Sequence, residues 1–233
     1  MNLVARKKIV FVIVEGPSDH DALALILSKV FDSNEVHVEI LHRDITTENG
    51  VTPSNIIENV VDVIKEYAVG SHFVAEHFQR VIHLVDTDGA FIANDKVVED
   101  QEAKGFVYTT EAIRASKPQK VIERNRQKKA NLLKISRTSK VWDIPYSVFY
   151  MSCNLEHVLF NRLNCSDEEK EDLSYRFARQ YKDDLPGFLA LISESDFSVC
   201  NNYLSSWNFI AEGTNSLNRY TNFGLCFKDD SNQ

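Results

Sequence analysis

The chain has 233 residues, 43% of them apolar and 26% charged, with 8 glycines and 5 prolines. That is an ordinary globular composition, and it excludes a disordered, collagen-like or linker-dominated sequence. Lys and Arg number 26 against 34 Asp and Glu, a formal charge of −8, which argues against a generic nucleic-acid coat but leaves room for nucleic-acid chemistry at a locally basic site.

Ile9 to Val14 is a β-branched and aromatic run that reads as a buried parallel strand. It ends at Glu15-Gly16-Pro17, where Ser18 reads as a helix cap with Asp21 in capping-box spacing. Leu23, Ile26, Leu27, Val30 and Phe31 then recur at helical spacing, and Val36 to Leu41 reads as a second strand. Thr52-Pro53 opens a second helix with the stripe Ile56, Ile57, Val60, Val61, Ile64, and Gly70 suits its stop. Val81 to Val85 is a third strand, ending at Asp86-Thr87-Asp88-Gly89, and Ile144 to Tyr150 a fourth, leading into Asn154-Leu155-Glu156-His157 and a helix start. From Ser166 onward, Asp167-Glu168-Glu169 marks a helix N-terminus in a helical C-terminal part. The alternation predicts an α/β fold, a Rossmannoid parallel sheet flanked by helices with a C-terminal helical appendage. The domain division it suggests is 1–165, with a basic insertion at about 105–140, and 166–233.

Glu15 and Asp86 each follow an apolar strand at its carboxyl end, where open α/β sheets bind their ligands, so the two acidic clusters are expected to face one another. Two aspartates two residues apart on an extended segment can point to opposite faces, but a turn at Gly89 can bring Asp86 and Asp88 to one side. Their hard oxygens suit Mg²⁺ or Mn²⁺, and a cation there relieves their mutual repulsion. Between Arg114 and Lys140 there are ten basic residues and one acid, Glu123. That segment carries +9, leaving 16 basic against 33 acidic residues, −17, elsewhere. Phosphate backbones are the natural counter-charge, with Arg126, Lys128, Lys129, Lys134, Arg137 and Lys140 as candidate contacts to DNA or RNA. Lys134, Arg137 and Lys140 are expected closest to the site, because they approach the fourth strand.

Val-Ile-Val-Glu-Gly-Pro-Ser-Asp (12–19) and His-Leu-Val-Asp-Thr-Asp-Gly (83–89) together resemble the Toprim domain of topoisomerases, bacterial primases, maturation ribonucleases and the overcoming-lysogenization-defect (OLD) nucleases of phage defence. The likeness covers roughly residues 7 to 160. It implies a metal-dependent nuclease in which Glu15 is general base or metal ligand, Asp86 and Asp88 bind Mg²⁺ or Mn²⁺, and Asp19 assists. Cys153-Asn154-Leu155-Glu156-His157-Val158-Leu159 resembles the Cys-x-x-Glu-x-x-Leu segment of OLD-like nucleases and adds Glu156 as a candidate ligand. The chain is too short for a topoisomerase's strand-passage apparatus, lacks a primase's zinc module, and carries no Gly-x-x-x-x-Gly-Lys-Ser/Thr loop of an ATPase.

Other readings stand beside this one. Asp-x-Asp-Gly after a strand also resembles the first motif of haloacid-dehalogenase phosphatases, although its place at residue 86 and the missing later motif speak against it. A non-catalytic nucleic-acid-binding or regulatory module that keeps the fold and a metal is the third reading. Taken singly, Asp19 and Asp21 read as helix N-terminal charges, Glu156 as a solvated carboxylate, and His20, His83 and His157 as structural. No apolar run approaches the roughly 20 residues that span a bilayer, so no membrane is expected. The basic start before Ile9 lacks the cleavage site of a signal peptide. Cys153, Cys165, Cys200 and Cys226 are widely spaced and expected to be reduced thiols of a cytoplasmic protein. The C-terminal helices offer a surface for a protein partner or a second copy.

Overall fold

A computed structural model describes residues 7–31 and 36–228. Its main sheet has four parallel strands, β1 (Lys8–Val14), β2 (Val36–His42), β3 (Phe78–Asp86) and, further along the chain, β8 (Ile144–Met151). The order is β2-β1-β3-β8, and the antiparallel β7 (Lys140–Val141) closes the edge beside β8. Trp142 and Asp143, both at positive φ, make the two-residue turn between β7 and β8. The α/β reading, with a mostly parallel sheet flanked by helices, is what the chain adopts.

Period-two alternation along β1 divides the core. Phe11 and Ile13 face α2 (Ile56–Gly70), together with Ile56, Val60 and Ile64. Val10, Val12 and Val14 face α1 (Pro17–Val30), together with Leu23, Ile26 and Leu27. With α1 and α2 on opposite faces and β2 and β3 on opposite sides of β1, the chain reverses direction between β1 and β3. The carboxyl ends of those two strands flank the resulting crevice.

Between β3 and β8 the chain makes a second small sheet from β4 (Val97–Glu99), β5 (Val107–Tyr108) and β6 (Ile113–Ala115), in the order β4-β6-β5. The long helix α3 (Pro118–Ile135) follows, with Leu132 and Ile135 in the α2-side core. Beyond β8 come α4 (Leu155–Phe160), α5 (Asp167–Tyr181), α6 (Leu185–Glu194) and α7 (Tyr203–Ile210). These elements share the sheet's own core. Phe177, Phe188, Ile192 and Phe223 pack on the α1 side, and Trp207 and Ile210 on the α2 side. Among the described residues no helix is long and apolar enough to cross a membrane, and none of the four cysteines forms a disulfide.

One local expectation needs correction, and one holds. Gly16, not Ser18, is the N-cap of α1, and the Asp19 carboxylate accepts the Gly16 N–H at 2.9 Å. Gly70 is the last residue of α2, and the left-handed turn after it falls on His72 at φ 58°.

A carboxylate cluster closed by a buried lysine

Each acid of the cluster reaches the crevice because a strand or a helix start fixes its backbone. Glu15 is the first residue after β1, and Asp86 is the last residue of β3, beside Met151 of β8. Asp88 itself takes a left-handed conformation, φ 49°, and Gly89 follows at φ 65°. A Cβ at Gly89 would lie 2.4 Å from Leu217 Cδ2, so both the turn and the close approach exclude a side chain there. The loop is tied down on several sides. Thr87 N–H donates to the Met151 carbonyl at 3.0 Å and Asp88 N–H to the Cys153 carbonyl at 2.8 Å. Thr87 Oγ1 accepts from Cys153 N–H at 2.8 Å.

Glu156 lies in the first turn of α4, capped by Asn154, whose side chain accepts the His157 N–H at 2.9 Å. It is only 2% exposed and accepts a hydrogen bond from Ser18 Oγ at 3.3 Å. The reading of Glu156 as a solvated carboxylate therefore fails, and Asp19, also buried, lies close enough to feel its charge. Asp21 is exposed, and its carboxylate lies 3.1 Å from His20 Nδ1. His83 and His157 are buried, and His83 Nδ1 lies 2.7 Å from Tyr146 Oη.

Lys128 is the largest departure from expectation. It is completely buried, and its ammonium donates to Glu15 Oε2 at 2.9 Å and to Asp88 Oδ2. It is therefore no surface phosphate contact but the internal counter-ion of the acids. Arg124, one turn earlier on α3, pairs with Asp88 Oδ2 at 3.2 Å and donates to the Asp88 carbonyl at 3.1 Å.

The remaining basic candidates fall elsewhere. A helix crossing back between parallel strands runs against them, so the C-terminal end of α3 lies at the amino end of β8. Lys134 is about 9 Å further along the axis than Lys128, and Arg137 and Lys140 lie beyond the helix. These three approach the wrong end of the fourth strand. Arg126, Lys129, Lys134, Arg137 and Lys140 are exposed.

Two groups that sequence pattern did not single out complete the site. Asp44, in the loop after β2, accepts from Thr46 Oγ1 at 2.9 Å, and the same hydroxyl lies 3.1 Å from Glu15 Oε1 as a second acceptor. Lys170 of α5 faces Glu156, Asp86 and Asp19, whose charges raise its pKa against the burial that would lower it. It also lines a cleft of about 330 Å³ with Gly16, Pro17, Ser18 and Asp167. A larger cleft of about 690 Å³, between α1 and α5, is lined by other residues than the cluster's.

The electrostatics divide the acids into two sets. Burial would push Asp88 up, but Lys128 and Arg124 outweigh it and hold the carboxyl below its ordinary value. Asp44 is likewise lowered: burial opposes, while Lys128 and the Thr47 and Thr46 hydroxyls prevail. Glu15 goes the other way, to about 8, because burial and the charges of Asp44 and Asp88 outweigh the ammonium it shares. Asp19 rises to about 7, chiefly through burial, and Asp86 is raised by burial together with Asp19, Glu15 and Asp88. Six acids thus share three basic groups, and the shortfall falls on Glu15, Asp19 and Asp86.

Hard oxygen donors short of positive charge suit a divalent cation. As the side chains stand, no three His, Cys, Asp or Glu among the described residues are grouped to hold a metal, and the Lys128 ammonium lies between Glu15 and Asp88. Comparison with protein-family models, with curated proteins and with solved structures gives no match for this chain.

Proposed function

We propose that the chain is a divalent-metal-dependent nuclease of Toprim type, hydrolysing phosphodiester bonds in DNA or RNA. The observation that carries this reading is the convergence of Glu15, Asp19, Asp86, Asp88 and Glu156 at the carboxyl ends of β1, β3 and β8, with more negative charge than Lys128, Arg124 and Lys170 neutralise. Asp19, Asp86 and Glu156, the acids without a contact to the Lys128 ammonium, would hold Mg²⁺ or Mn²⁺ together with Glu15 and Asp88, through lone pairs that the hydrogen bonds to Thr46, Tyr108 and Lys128 leave over. When bound, that ion supplies neutralisation of the charge that grows on a phosphoryl group in the transition state.

The chain's own residues do the rest. Glu15, raised to about 8, exchanges its proton close to neutral pH, where a general base for water works best. Lys128 and Arg124 hold Asp88 ionised and in place, so that the Asp86–Asp88 turn needs no rearrangement on binding. Arg126 and Lys129 of α3 are exposed, which leaves their charge available to attract a phosphate backbone. The companion reading, a module that binds nucleic acid without cutting it, differs only in turnover.

The deciding experiment is incubation of purified protein with labelled single- and double-stranded DNA and RNA in Mg²⁺ or Mn²⁺. Cleavage should appear with metal, cease with a chelator, and fall at least about a hundredfold in Asp86→Asn and Asp88→Asn. Undiminished cleavage in both variants overturns the assignment.

A further inference from the structure

The small sheet between β3 and α3 brings aromatic rings to the rim of the carboxylate cluster. Tyr108, in β5, donates its hydroxyl to Asp88 Oδ1 at 3.4 Å. Arg124 donates to the same hydroxyl at 3.1 Å while pairing with Asp88. The guanidinium carbon stands 5.9 Å from the centre of the Tyr108 ring and 5.2 Å from that of Phe106. Tyr108 is part-buried, but Phe106 is 38% exposed, an apolar ring open to solvent two residues from a group that touches Asp88.

This segment is held from two other parts of the chain. Asn164 accepts the Tyr108 N–H at 2.8 Å and donates to the Tyr108 carbonyl at 2.8 Å. Asn218 donates to the Thr110 carbonyl at 3.0 Å. The Phe106 ring is thus presented by a fixed backbone and backed by a planar cation, which lowers the entropy lost when a flat ligand settles on it.

We propose that Phe106, backed by Arg124 and Tyr108, is a stacking surface for an unpaired nucleobase beside the phosphate at the carboxylate cluster. The substrate is then single-stranded nucleic acid. The proposal rests on the nuclease reading above and names its substrate class. A base within a duplex spends both faces on its neighbours, whereas a base in an unpaired strand has a face free for an aromatic side chain. Arg124 contributes its plane, its charge being matched by Asp88, and the phosphates are drawn by the other basic residues of α3.

The test is anisotropy of a labelled single-stranded oligonucleotide and of the matching duplex, titrated without divalent metal, on the parent, Phe106→Ala and Phe106→Trp proteins. Cleavage of both substrates in Mn²⁺ is measured in parallel, and melting curves confirm that the variants fold. Phe106→Ala should weaken single-strand binding by about 5- to 150-fold, leave duplex binding within about twofold, and slow cleavage of the single strand; Phe106→Trp should bind like the parent. Parent-like single-strand binding by Phe106→Ala, or a parent that prefers duplex, overturns the stacking surface and leaves the nuclease standing. A parent that neither binds nor cleaves any nucleic acid overturns the nuclease reading, and this one with it.

Discussion

The hydroxyl of Thr87 donates to the carbonyl of Ser216 at 2.8 Å, which joins the residue between the two aspartates to a segment 129 positions further on. The turn that presents Asp86 and Asp88 is therefore shaped from outside as much as by its own sequence. Thr87→Val keeps the shape and removes both the donor and the acceptor that Cys153 N–H uses. The variant should lose about 1–3 kcal/mol in urea unfolding. Its metal-dependent cleavage should fall about 10- to 100-fold, because misplaced ligands cost rate steeply. A variant with parent-like stability and rate would show that the tie is dispensable.

Lys128→Met retains the length of the side chain and removes the charge. Two buried carboxylates then lose their shared cation, and unfolding should become easier by about 3–5 kcal/mol. Adding Asp88→Asn to Lys128→Met should recover part of that loss, since the charge that Lys128 holds ionised goes too. Chemical denaturation of the parent, the single variants and the double variant measures the coupling. Independent, additive effects would contradict the ion pair.

Folding raises Glu15 from 4.5 to about 8 and Asp19 from 3.8 to about 7. A carboxyl raised on folding stabilises the folded state below its unfolded pKa, and that contribution disappears as pH rises through the folded value. Metal-free protein should therefore lose melting temperature as pH climbs through the range of about 7 to 8. On the proposed nuclease reading a divalent cation would take the place of the protons, so Mn²⁺ should raise the melting temperature more at pH 8 than at pH 6, the added stability growing with the Mn²⁺ concentration c as RT ln(1 + c/Kd). Differential scanning calorimetry at both pH values checks this. An equal metal shift at the two would count against direct binding by these acids.

His83 behaves in the opposite sense. Burial lowers it from 6.5 to about 3, so the folded protein holds it neutral while the unfolded chain takes up a proton. The stability it permits is complete above pH 6.5 and is lost as pH falls toward 3, with a slope of up to about 1.4 kcal/mol per pH unit. His83→Gln should flatten the acid limb of the stability curve between pH 6 and 4, measured by urea unfolding at closely spaced pH. A limb of unchanged slope would place the acid sensitivity in other groups.

The strand-end acids were open to inspection in the sequence because an apolar run that stops at Glu15 or Asp86 shows both the strand and its carboxyl end. Asp44 obeys the same rule, but His42 and Arg43 separate it from the apolar part of β2, and it reads as an ordinary loop residue. Lys128 and Lys170 were not legible in this way. A lysine's burial is decided by partners far away in sequence; Lys128 meets Glu15 across 113 positions. In a run of ten basic residues it looks like its exposed neighbours. The helical stripe Val121, Asn125, Lys128, Leu132 and Ile135 does mark an inward face on α3, and a lysine on that face was the available sign. Gly16 does not read as a cap in the sequence because the acceptor, Asp19, works from inside the helix on the backbone N–H three residues before it.

The tie from Thr87 to Ser216 also sets an order of events during synthesis. Residue 15 leaves the ribosome early, yet the turn that carries Asp86 and Asp88 has its outer support only after the segment near residue 216 has emerged. At about 5–20 residues per second, that is an interval of roughly ten seconds or more between the first acid and the last brace. A nascent chain threaded among messenger and ribosomal RNA thus carries the acids of the centre long before it carries a finished one.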